Sequence, residues 1–421
     1  MRQKKRWFVI SGILTVLAFA FMLPTGAVAA SKYKVLHRFN GHDGSGPSGR
    51  LTFDPLGNLY GTAAAGGDGG HGVVFELMRR PGGMWKESVL YSFAGVENGI
   101  GEDPTGGVTF DGSGNLYGTA LGNGGIIFEL TPNPDGSWTT VAHGFSEGSQ
   151  PFGDLIFDAA GNLYGTTSRG GNGPCHSRGL RGLGCGTVYQ MTPNPDGSLT
   201  ENVLYNFTRP DGRYPLAGVI LDPAGNVYGT TSEGGDLRCN HPFGCGVVFK
   251  LKPNSDGTWT ESVLYRFAGG ADGRQPQADL ILDAAGNLYG TTLLGGSAQC
   301  NGCGVIFRLT PNPNGTWTES VLHTFKGRLA AYPYVGLVFD KAGNLYGTTN
   351  SGGPVNGGVV FKMTPQSDGS WAYRVLHIFH GNPASGPLGS VILDKAGNLY
   401  GTTAGCGSFQ ECQGVVFEIT P

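Results

Sequence analysis

Three charged residues share one position of a repeating pattern and are the first candidates for chemistry. Arg50, Asp154 and Asp279 each stand directly before a short apolar segment. In the other copies of the pattern this position holds Gly107, Gly218, Gly336 and Ser390. Two carboxylates and a guanidinium that converge on one point could bind a polar ligand or take part in acid–base chemistry. They can converge only if the fold brings distant parts of the chain together.

The cysteines form a second group with possible chemistry. All eight fall in local pairs, which are Cys175/Cys185, Cys239/Cys245, Cys300/Cys303 and Cys406/Cys412. Local disulfides are the natural interpretation in an exported chain. A structural zinc site needs about four converging ligands, whereas each pair belongs to a different copy. Only Cys300 and Cys303 have the spacing of a redox or metal-binding pair, and both alternatives stay open for them.

A phrase of six residues, Gly-Asn-Leu-Tyr-Gly-Thr, occurs seven times with small changes. Its copies begin at Gly57, Gly114, Gly161, Gly225, Gly286, Gly343 and Gly397. A spacing of about fifty to sixty residues is typical of a repeat architecture. One full copy contains four short segments rich in β-branched and aromatic residues, at 279–283, 287–292, 304–309 and 317–325. The sequence predicts four antiparallel strands per copy, because the first and third connections are tight turns.

The two ends of the chain carry incomplete copies that complete each other. Residues 33–39 have the pattern of a fourth strand alone, and residues 414–419 have that of a third strand without its fourth. Joining them leaves no orphan strand, whereas an open solenoid needs capping units. The sequence therefore predicts an all-β fold: a seven-bladed β-propeller of four-stranded antiparallel blades, closed by the N-terminal strand completing the last blade. We expect this single domain to occupy residues 31–421.

Seven aspartates begin the Asp-x-x-Gly-Asn connection of their copies. They are Asp54, Asp111, Asp158, Asp222, Asp283, Asp340 and Asp394. A carboxylate there can accept hydrogen bonds from the amides of its own turn. Calcium binding is the alternative, but it needs several oxygens converging on one ion. We expect turn chemistry.

Two aromatic registers invite functional interpretations that packing explains better. The tryptophans Trp85, Trp138, Trp259, Trp317 and Trp371 share one position with Leu199, which favours packing over a sugar-binding ladder. The histidines His37, His143, His323 and His377 occupy the position of Tyr91, Tyr205 and Tyr265. We therefore interpret these histidines as aromatic substitutes rather than catalysts.

Residues 1–30 have the pattern of a cleaved secretory signal peptide. A basic cluster precedes an apolar run from Trp7 to Leu23, and small residues follow. An uncleaved membrane anchor is the alternative. Without the four basic residues of this segment, 24 Lys and Arg face 31 Asp and Glu, a formal charge of −7. This charge disfavours nucleic acids and anionic membranes. We expect a secreted, extracellular or periplasmic monomer.

The variable residues are predicted to share one face of the ring. The longer connections after the second and fourth strands should lie together there and carry the cysteine pairs. With the first strand innermost, Arg50, Asp154 and Asp279 would line the rim of the central channel. Tyr214, Arg274 and Tyr334 lie in the segments that lead into innermost strands. These six residues are the predicted binding site.

The repeat also resembles a known family. Asp-x-x-Gly-Asn-Leu-Tyr-Gly-Thr-Thr, followed by Gly-Val-Val-Phe-x-Leu-Thr-Pro, Trp and Val-Leu-Tyr-x-Phe, is similar to the bacterial GloVer tandem repeat of choice-of-anchor proteins. The resemblance covers residues 33–421 and implies export. It implies no activity, because the family has none assigned. This sequence departs from the family pattern in having no such anchor segment, which leaves attachment to a cell surface open.

The leading functional prediction is a non-enzymatic binding module for glycan or protein ligands, with no catalytic residues, cofactor or metal. One alternative is a lyase- or lactonase-like enzyme, because related architectures use the channel with His, Glu or Asp around a metal. A purely structural exoprotein is the other alternative.

Overall fold

The structure is a computed structural model that describes residues 31–95, 101–122, 124–175, 184–381, 384–405 and 413–421. These residues form 32 β-strands and two short 3-10 helices, Pro81–Gly83 and Gln299–Asn301. The strands are β1 Lys32–Arg38, β2 Ser45–Pro47, β3 Thr52–Phe53, β4 Leu59–Ala65, β5 Val73–Arg79, β6 Trp85–Ser92, β7 Glu102–Pro104, β8 Thr109–Phe110, β9 Leu116–Leu121, β10 Ile126–Pro132, β11 Trp138–Gly144, β12 Gly148–Ser149, β13 Ile156–Phe157, β14 Leu163–Thr167, β15 Arg169–Gly170, β16 Thr187–Pro193, β17 Leu199–Asn206, β18 Ile220–Leu221, β19 Val227–Thr231, β20 Val247–Pro253, β21 Trp259–Arg266, β22 Ile281–Leu282, β23 Leu288–Thr292, β24 Val305–Pro311, β25 Trp317–Thr324, β26 Val338–Phe339, β27 Leu345–Thr349, β28 Val359–Pro365, β29 Trp371–Ile378, β30 Ile392–Leu393, β31 Leu399–Thr403 and β32 Val415–Thr420. In the part of the chain that the structure describes, no helix is long and apolar enough to cross a membrane.

Twenty-eight of these strands form seven antiparallel blades of four strands each, as predicted. Of the other four, β2 pairs with β4, β7 pairs with β9, and β12 pairs with β15. In chain order the blades are β3-β4-β5-β6, β8-β9-β10-β11, β13-β14-β16-β17, β18-β19-β20-β21, β22-β23-β24-β25, β26-β27-β28-β29 and β30-β31-β32-β1, numbered 1 to 7 below. In blade 7 the N-terminal strand β1 pairs with β32, with Lys32 opposite Thr420 and Arg38 opposite Val415. The prediction that the N-terminal strand completes the last blade is confirmed.

Aromatic rings join each blade to the next. The phenylalanine that follows each fourth strand packs against a buried aromatic ring in the third strand of the next blade, with ring centroids 4.9–5.6 Å apart. The pairs are Phe39–Phe75, Phe93–Phe128, Phe145–Tyr189, Phe207–Phe249, Phe267–Phe307, Phe325–Phe361 and Phe379–Phe417. These contacts also explain the second glycine of the repeated phrase, because a Cβ on Gly229 would lie 2.6 Å from the ring of Phe249.

Each Asp-x-x-Gly-Asn turn is closed by its own aspartate. In blade 5, Asp283 Oδ1 accepts hydrogen bonds from the backbone N–H groups of Ala285 and Asn287, both at 2.9 Å. Its Oδ2 accepts one from Asn287 Nδ2 at 2.8 Å. The same bonds recur at Asp54, Asp111, Asp158, Asp222, Asp340 and Asp394. The prediction of turn chemistry is confirmed.

The aromatic registers pack as predicted. Trp85 meets Tyr400 of the preceding blade and Trp371 meets Tyr289, with ring centroids 6.3 and 6.2 Å apart. Trp138, Trp259, Trp317 and Leu199 pack against the equivalent clusters. His323 makes the same edge contact with Phe325 that Tyr265 makes with Phe267, at 4.9 and 5.1 Å.

A recurring contact, here called the clasp, fastens the two sets of longer loops together. Before each first strand, a residue with positive φ precedes a proline, as in Gln275 (φ 56°) before Pro276. Gln275 N donates to the carbonyl of Cys245 in the preceding blade at 2.8 Å. The ring of Pro276 packs on Gly246, which precedes the third strand of that blade. In the other six clasps, the positive-φ residue before the proline is Gly46, Asp103, Gln150, Tyr214, Tyr332 or Gly386. The clasps place both sets of loops on one face of the ring, called the loop face below.

Three of the four predicted disulfides are present. Cys175–Cys185, Cys239–Cys245 and Cys300–Cys303 are bonded, each in the loop between the second and third strands of its blade. The second cysteine of each pair offers its carbonyl to the clasp of the next blade. Cys406 and Cys412 lie outside the described residues.

Gly246→Ala is expected to destabilise the ring at the clasp. Gly246 has φ +91°, and an added Cβ would lie 2.7 Å from Pro276 Cδ and in contact with the carbonyl oxygen of Thr231. Gly257 has φ +83° with no atom within 4 Å of an added Cβ, so Gly257→Ala isolates the backbone cost, about 1 kcal/mol. Urea unfolding should show Gly246→Ala losing about 2 kcal/mol more than this control. Equal losses would mean that the clasp contact contributes nothing.

Candidate functional site

The residues that precede the innermost strands form a ring at the centre of the propeller. We call them the rim residues, and they are Arg50, Gly107, Asp154, Gly218, Asp279, Gly336 and Ser390. Around this ring, each glycine is followed by a residue whose side chain accepts a hydrogen bond from the backbone N–H of that glycine. Gly107 N donates to Asp154 Oδ1 and Gly218 N to Asp279 Oδ1, both at 2.6 Å. Gly336 N donates to Ser390 Oγ at 2.9 Å. The two predicted acids therefore lie at the channel, and each is hydrogen-bonded to the preceding blade.

Arg50 interrupts this alternation. An odd number of blades cannot alternate completely, and Arg50 occupies the remaining position, between Ser390 and Gly107. Its Nε lies 3.1 Å from Asp154 Oδ2. The Asp154 side chain is 16% exposed, whereas the Arg50 side chain is 44% exposed. Arg50 therefore offers a positive charge that a ligand in the channel can reach.

Asp279 has an altered proton affinity. Burial, followed by the charge of Asp154, raises its pKa to about 7, while Arg50 and the N–H group of Gly218 act in the opposite direction. Desolvation and a nearby like charge both disfavour the ionised form of a carboxyl group. The net charge of the channel therefore changes near neutral pH.

A second ring lies above the rim residues and completes a cavity of about 390 Å³. Every blade contributes to it the residue two positions before its rim residue. These residues are Ser48, Thr105, Phe152, Leu216, Gln277, Tyr334 and Leu388. Phe152, Leu216, Tyr334 and Leu388 supply apolar walls. Gln277 Oε1 is shielded from solvent and has no hydrogen-bond partner among the described residues.

Of this second ring, only Tyr334 was predicted from the sequence. The other six residues of the ring could have been predicted, because each precedes a rim residue by two positions and the rim residues had already been aligned between copies. They were missed because neighbouring copies hold unlike residues there, such as Phe152 and Gln277.

Two predicted binding residues do not line the cavity. Tyr214 is the positive-φ residue of the clasp in blade 4, and its ring lies 4.4 Å from the Arg213 guanidinium. Arg213 is buried and pairs with Glu233 at 3.1 Å. Arg274 takes the position of Arg213 in blade 5, where its backbone pairs with Leu294. The intervening proline separates both residues from the cavity lining, which begins two residues before each rim residue.

Side chains that could bind a metal ion come together outside the channel. Within the described residues, His37, Asp43 and Glu87 form the group whose ligand atoms lie close enough for one ion. This group lies where blade 7 meets blade 1, on fourth strands and the loop after β1, and not at the channel.

Seven four-stranded blades around a channel, with a cavity at one mouth, define a β-propeller with an axial pocket. The chain belongs to the Gloeobacter/Verrucomicrobia repeat family, whose model matches residues 21–180, 175–371 and 299–421. The resemblance to the GloVer repeat is thereby confirmed.

Solved structures share the fold at low sequence identity. A candidate 6-phosphogluconolactonase from Bacteroides fragilis is 15% identical, with a TM-score of 0.53 over 83% of this chain and 87% of that chain. A protein from Lactobacillus plantarum is 16% identical, with a TM-score of 0.52 over 86% of this chain and 99% of that chain. At such identities the likeness extends to the fold alone. A comparison with curated proteins finds no match.

Asp279→Asn is expected to stabilise the protein above neutral pH. A folded-state pKa of about 7 lies above the usual value of about 4. The folded protein therefore binds this proton more tightly than the unfolded chain, and the wild type loses stability as the pH rises from about 4 through 7. Asparagine removes this loss and can still accept the N–H of Gly218. Urea unfolding should show a gain of roughly 1–2 kcal/mol at pH 8 and little change at pH 5.

Asp154→Asn is the matched comparison, because it removes the partner of Arg50. It should lower stability at pH 8. A loss of stability at pH 8 in Asp279→Asn as well would contradict the raised pKa of Asp279.

Proposed function

We propose that the protein is an exported, non-enzymatic binding module that takes a glycan end into the cavity at the channel mouth. The observation that carries the proposal is the combination of apolar walls with converging polar groups in one concave site. Phe152 and Tyr334 offer flat apolar surfaces, and Arg50, Asp154 and Gln277 offer a donor and acceptors. This composition is typical of ligand pockets, and about 390 Å³ lies near the lower end of their usual range of roughly 300–1,000 Å³.

A glycan end suits this site better than the flat surface of a folded protein. A sugar ring has one face of C–H groups that packs on aromatic rings and an edge of hydroxyl groups that donate and accept hydrogen bonds. Gln277 Oε1 needs a donor, because a shielded acceptor without a partner costs free energy. A sugar hydroxyl can supply it.

Export is supported by two features. Residues 1–30 have the pattern of a signal peptide, and the three described disulfides suit an oxidising compartment outside the cytoplasm. The proposal therefore includes secretion to the periplasm or medium after cleavage of residues 1–30, as a monomer.

The lyase- or lactonase-like alternative has weaker support. Asp154 and Asp279 are hydrogen-bonded to the amides of Gly107 and Gly218, which hold neighbouring blades together. These contacts between blades explain the two acids without a catalytic role. The likeness to a candidate lactonase at 15% identity extends to the fold alone.

Glycan binding is tested by screening the purified exported protein on a glycan array and measuring the best hit by calorimetry. Arg50→Gln and Tyr334→Ala should each weaken affinity about tenfold, which corresponds to 1.4 kcal/mol. Leu56→Ala is the control, because Leu56 is 85% exposed in an Asp-x-x-Gly-Asn turn on the opposite face. Its affinity should stay within about twofold.

Two results would overturn the proposal. Silence across the array would favour a purely structural exoprotein. Binding that Arg50→Gln and Tyr334→Ala leave unchanged would place the site away from the channel.

A further inference from the structure

The outer edges of the blade junctions carry two different kinds of side-chain contact. At two junctions a histidine of one fourth strand stacks on a tyrosine of the next, with ring centroids 4.0 Å apart in His323–Tyr373 and His377–Tyr33. At three other junctions a glutamate replaces that tyrosine, and an aspartate from the following loop joins it. These three sets are Tyr205–Asp211–Glu261, Tyr265–Asp272–Glu319 and His37–Asp43–Glu87.

The three sets share one hydrogen bond. Tyr205 Oη donates to Asp211 Oδ2 at 2.7 Å, and Tyr265 Oη donates to Asp272 Oδ2 at 3.1 Å. His37 Nε2 lies 3.1 Å from Asp43 Oδ2 in the equivalent place. An imidazole nitrogen therefore takes the place of a phenol oxygen at the junction between blades 7 and 1.

This replacement gives the junction three groups that can ligate a metal. One ligand atom from each of His37, Asp43 and Glu87 lies within 4.8 Å of the other two. Glu87 Oε1 is shielded from solvent and has no hydrogen-bond partner among the described residues. Asp43 is held in place by the backbone N–H of Asn40 at 2.8 Å and by Asn40 Nδ2 at 3.0 Å. Such outer contacts orient metal ligands.

We propose that His37, Asp43 and Glu87 bind one divalent transition-metal ion, with zinc the best match. One imidazole nitrogen and two carboxylate oxygens, with water in the remaining position, form a donor set that zinc accepts. Calcium fits less well, because it takes six to eight oxygen ligands. This proposal departs from the sequence-based expectation of no metal, and it is independent of glycan binding at the channel.

The ion would act on the strand that closes the ring. His37 lies on β1 and Glu87 on β6 of blade 1, and the two strands belong to different blades. A metal that binds both would fix β1 against blade 1 and so hold it in position to pair with β32. Binding to the folded state alone then stabilises it by mass action.

The two junctions that carry Tyr205–Asp211–Glu261 and Tyr265–Asp272–Glu319, called the sister junctions below, provide an internal control. Tyr205 and Tyr265 stand beside the same pairing of aspartate and glutamate, and Glu261 Oε1 and Glu319 Oε1 are shielded in the same way as Glu87 Oε1. A protonated phenol is not a zinc ligand at neutral pH, and burial raises the pKa of both tyrosines above the usual value of about 10. The carboxyl pair alone is therefore expected to bind no zinc, and the histidine decides the site.

The test is titration of zinc chloride into chelator-treated, untagged exported protein, followed by calorimetry and by thermal unfolding with and without zinc. We expect one zinc per chain and a rise in Tm, and no response to calcium. His37→Tyr reproduces the sister junctions and should fold normally while losing at least tenfold in zinc affinity. Tyr265→His should create a second site and raise the stoichiometry from one to two.

His71→Ala tests for binding elsewhere, because His71 Nδ1 also lies 3.2 Å from a carboxylate, Glu102 Oε2. This variant should leave the zinc affinity unchanged. A wild-type protein that takes up no zinc would overturn the proposal. So would a His37→Tyr variant that folds and binds zinc as the wild type does.

Discussion

The ring depends on one contact, the packing of an aromatic ring after the fourth strand of each blade on an aromatic ring in the third strand of the next. A single four-stranded blade cannot bury both of its faces, so each blade needs two neighbours. The contact recurs at all seven junctions with centroid distances of 4.9–5.6 Å. It also fixes the repeated phrase, because only glycine at positions such as Gly229 leaves room for the ring of Phe249.

The candidate site arises where this repetition fails. Glycines and hydrogen-bond acceptors alternate around the rim, and each pair joins two blades through one backbone N–H. Because seven is odd, one rim residue has no place in the alternation, and that residue is Arg50. The arginine in this leftover position forms an ion pair with Asp154 and keeps its guanidinium partly exposed. An even-bladed ring with the same rule could pair every rim residue and would have no such position.

The sequence was sufficient to predict the features that recur in every copy and those that involve residues close together in the chain. The count of the phrase, the incomplete copies at 33–39 and 414–419 and the turn aspartates predicted the blades, their closure and the turns. The rim position of Asp154 and Asp279 was predictable because it follows from register alone. Apart from Tyr334, the second ring was not found, since residues as unlike as Phe152 and Gln277 become neighbours only around the axis. Tyr214 and Arg274 lie in the loop-face segments that the sequence indicated, but a proline stands between each of them and the cavity lining, so they do not reach the cavity.

The entropy cost of pairing a fourth strand with its third strand is larger in blade 7 than in the other blades. In blades 1 to 6 the fourth strand follows its third strand through a short connection, so the two are close even in the unfolded chain. In blade 7 the corresponding strands, β32 and β1, stand at opposite ends of the sequence. Bringing them together costs the entropy of closing a loop that contains nearly the whole chain. Contacts between β1 and blade 1 are local by comparison and can form earlier. His37 and Phe39, which provide such contacts, therefore contribute to closure in a way that Tyr205 and Tyr265 do not, although all occupy equivalent junctions.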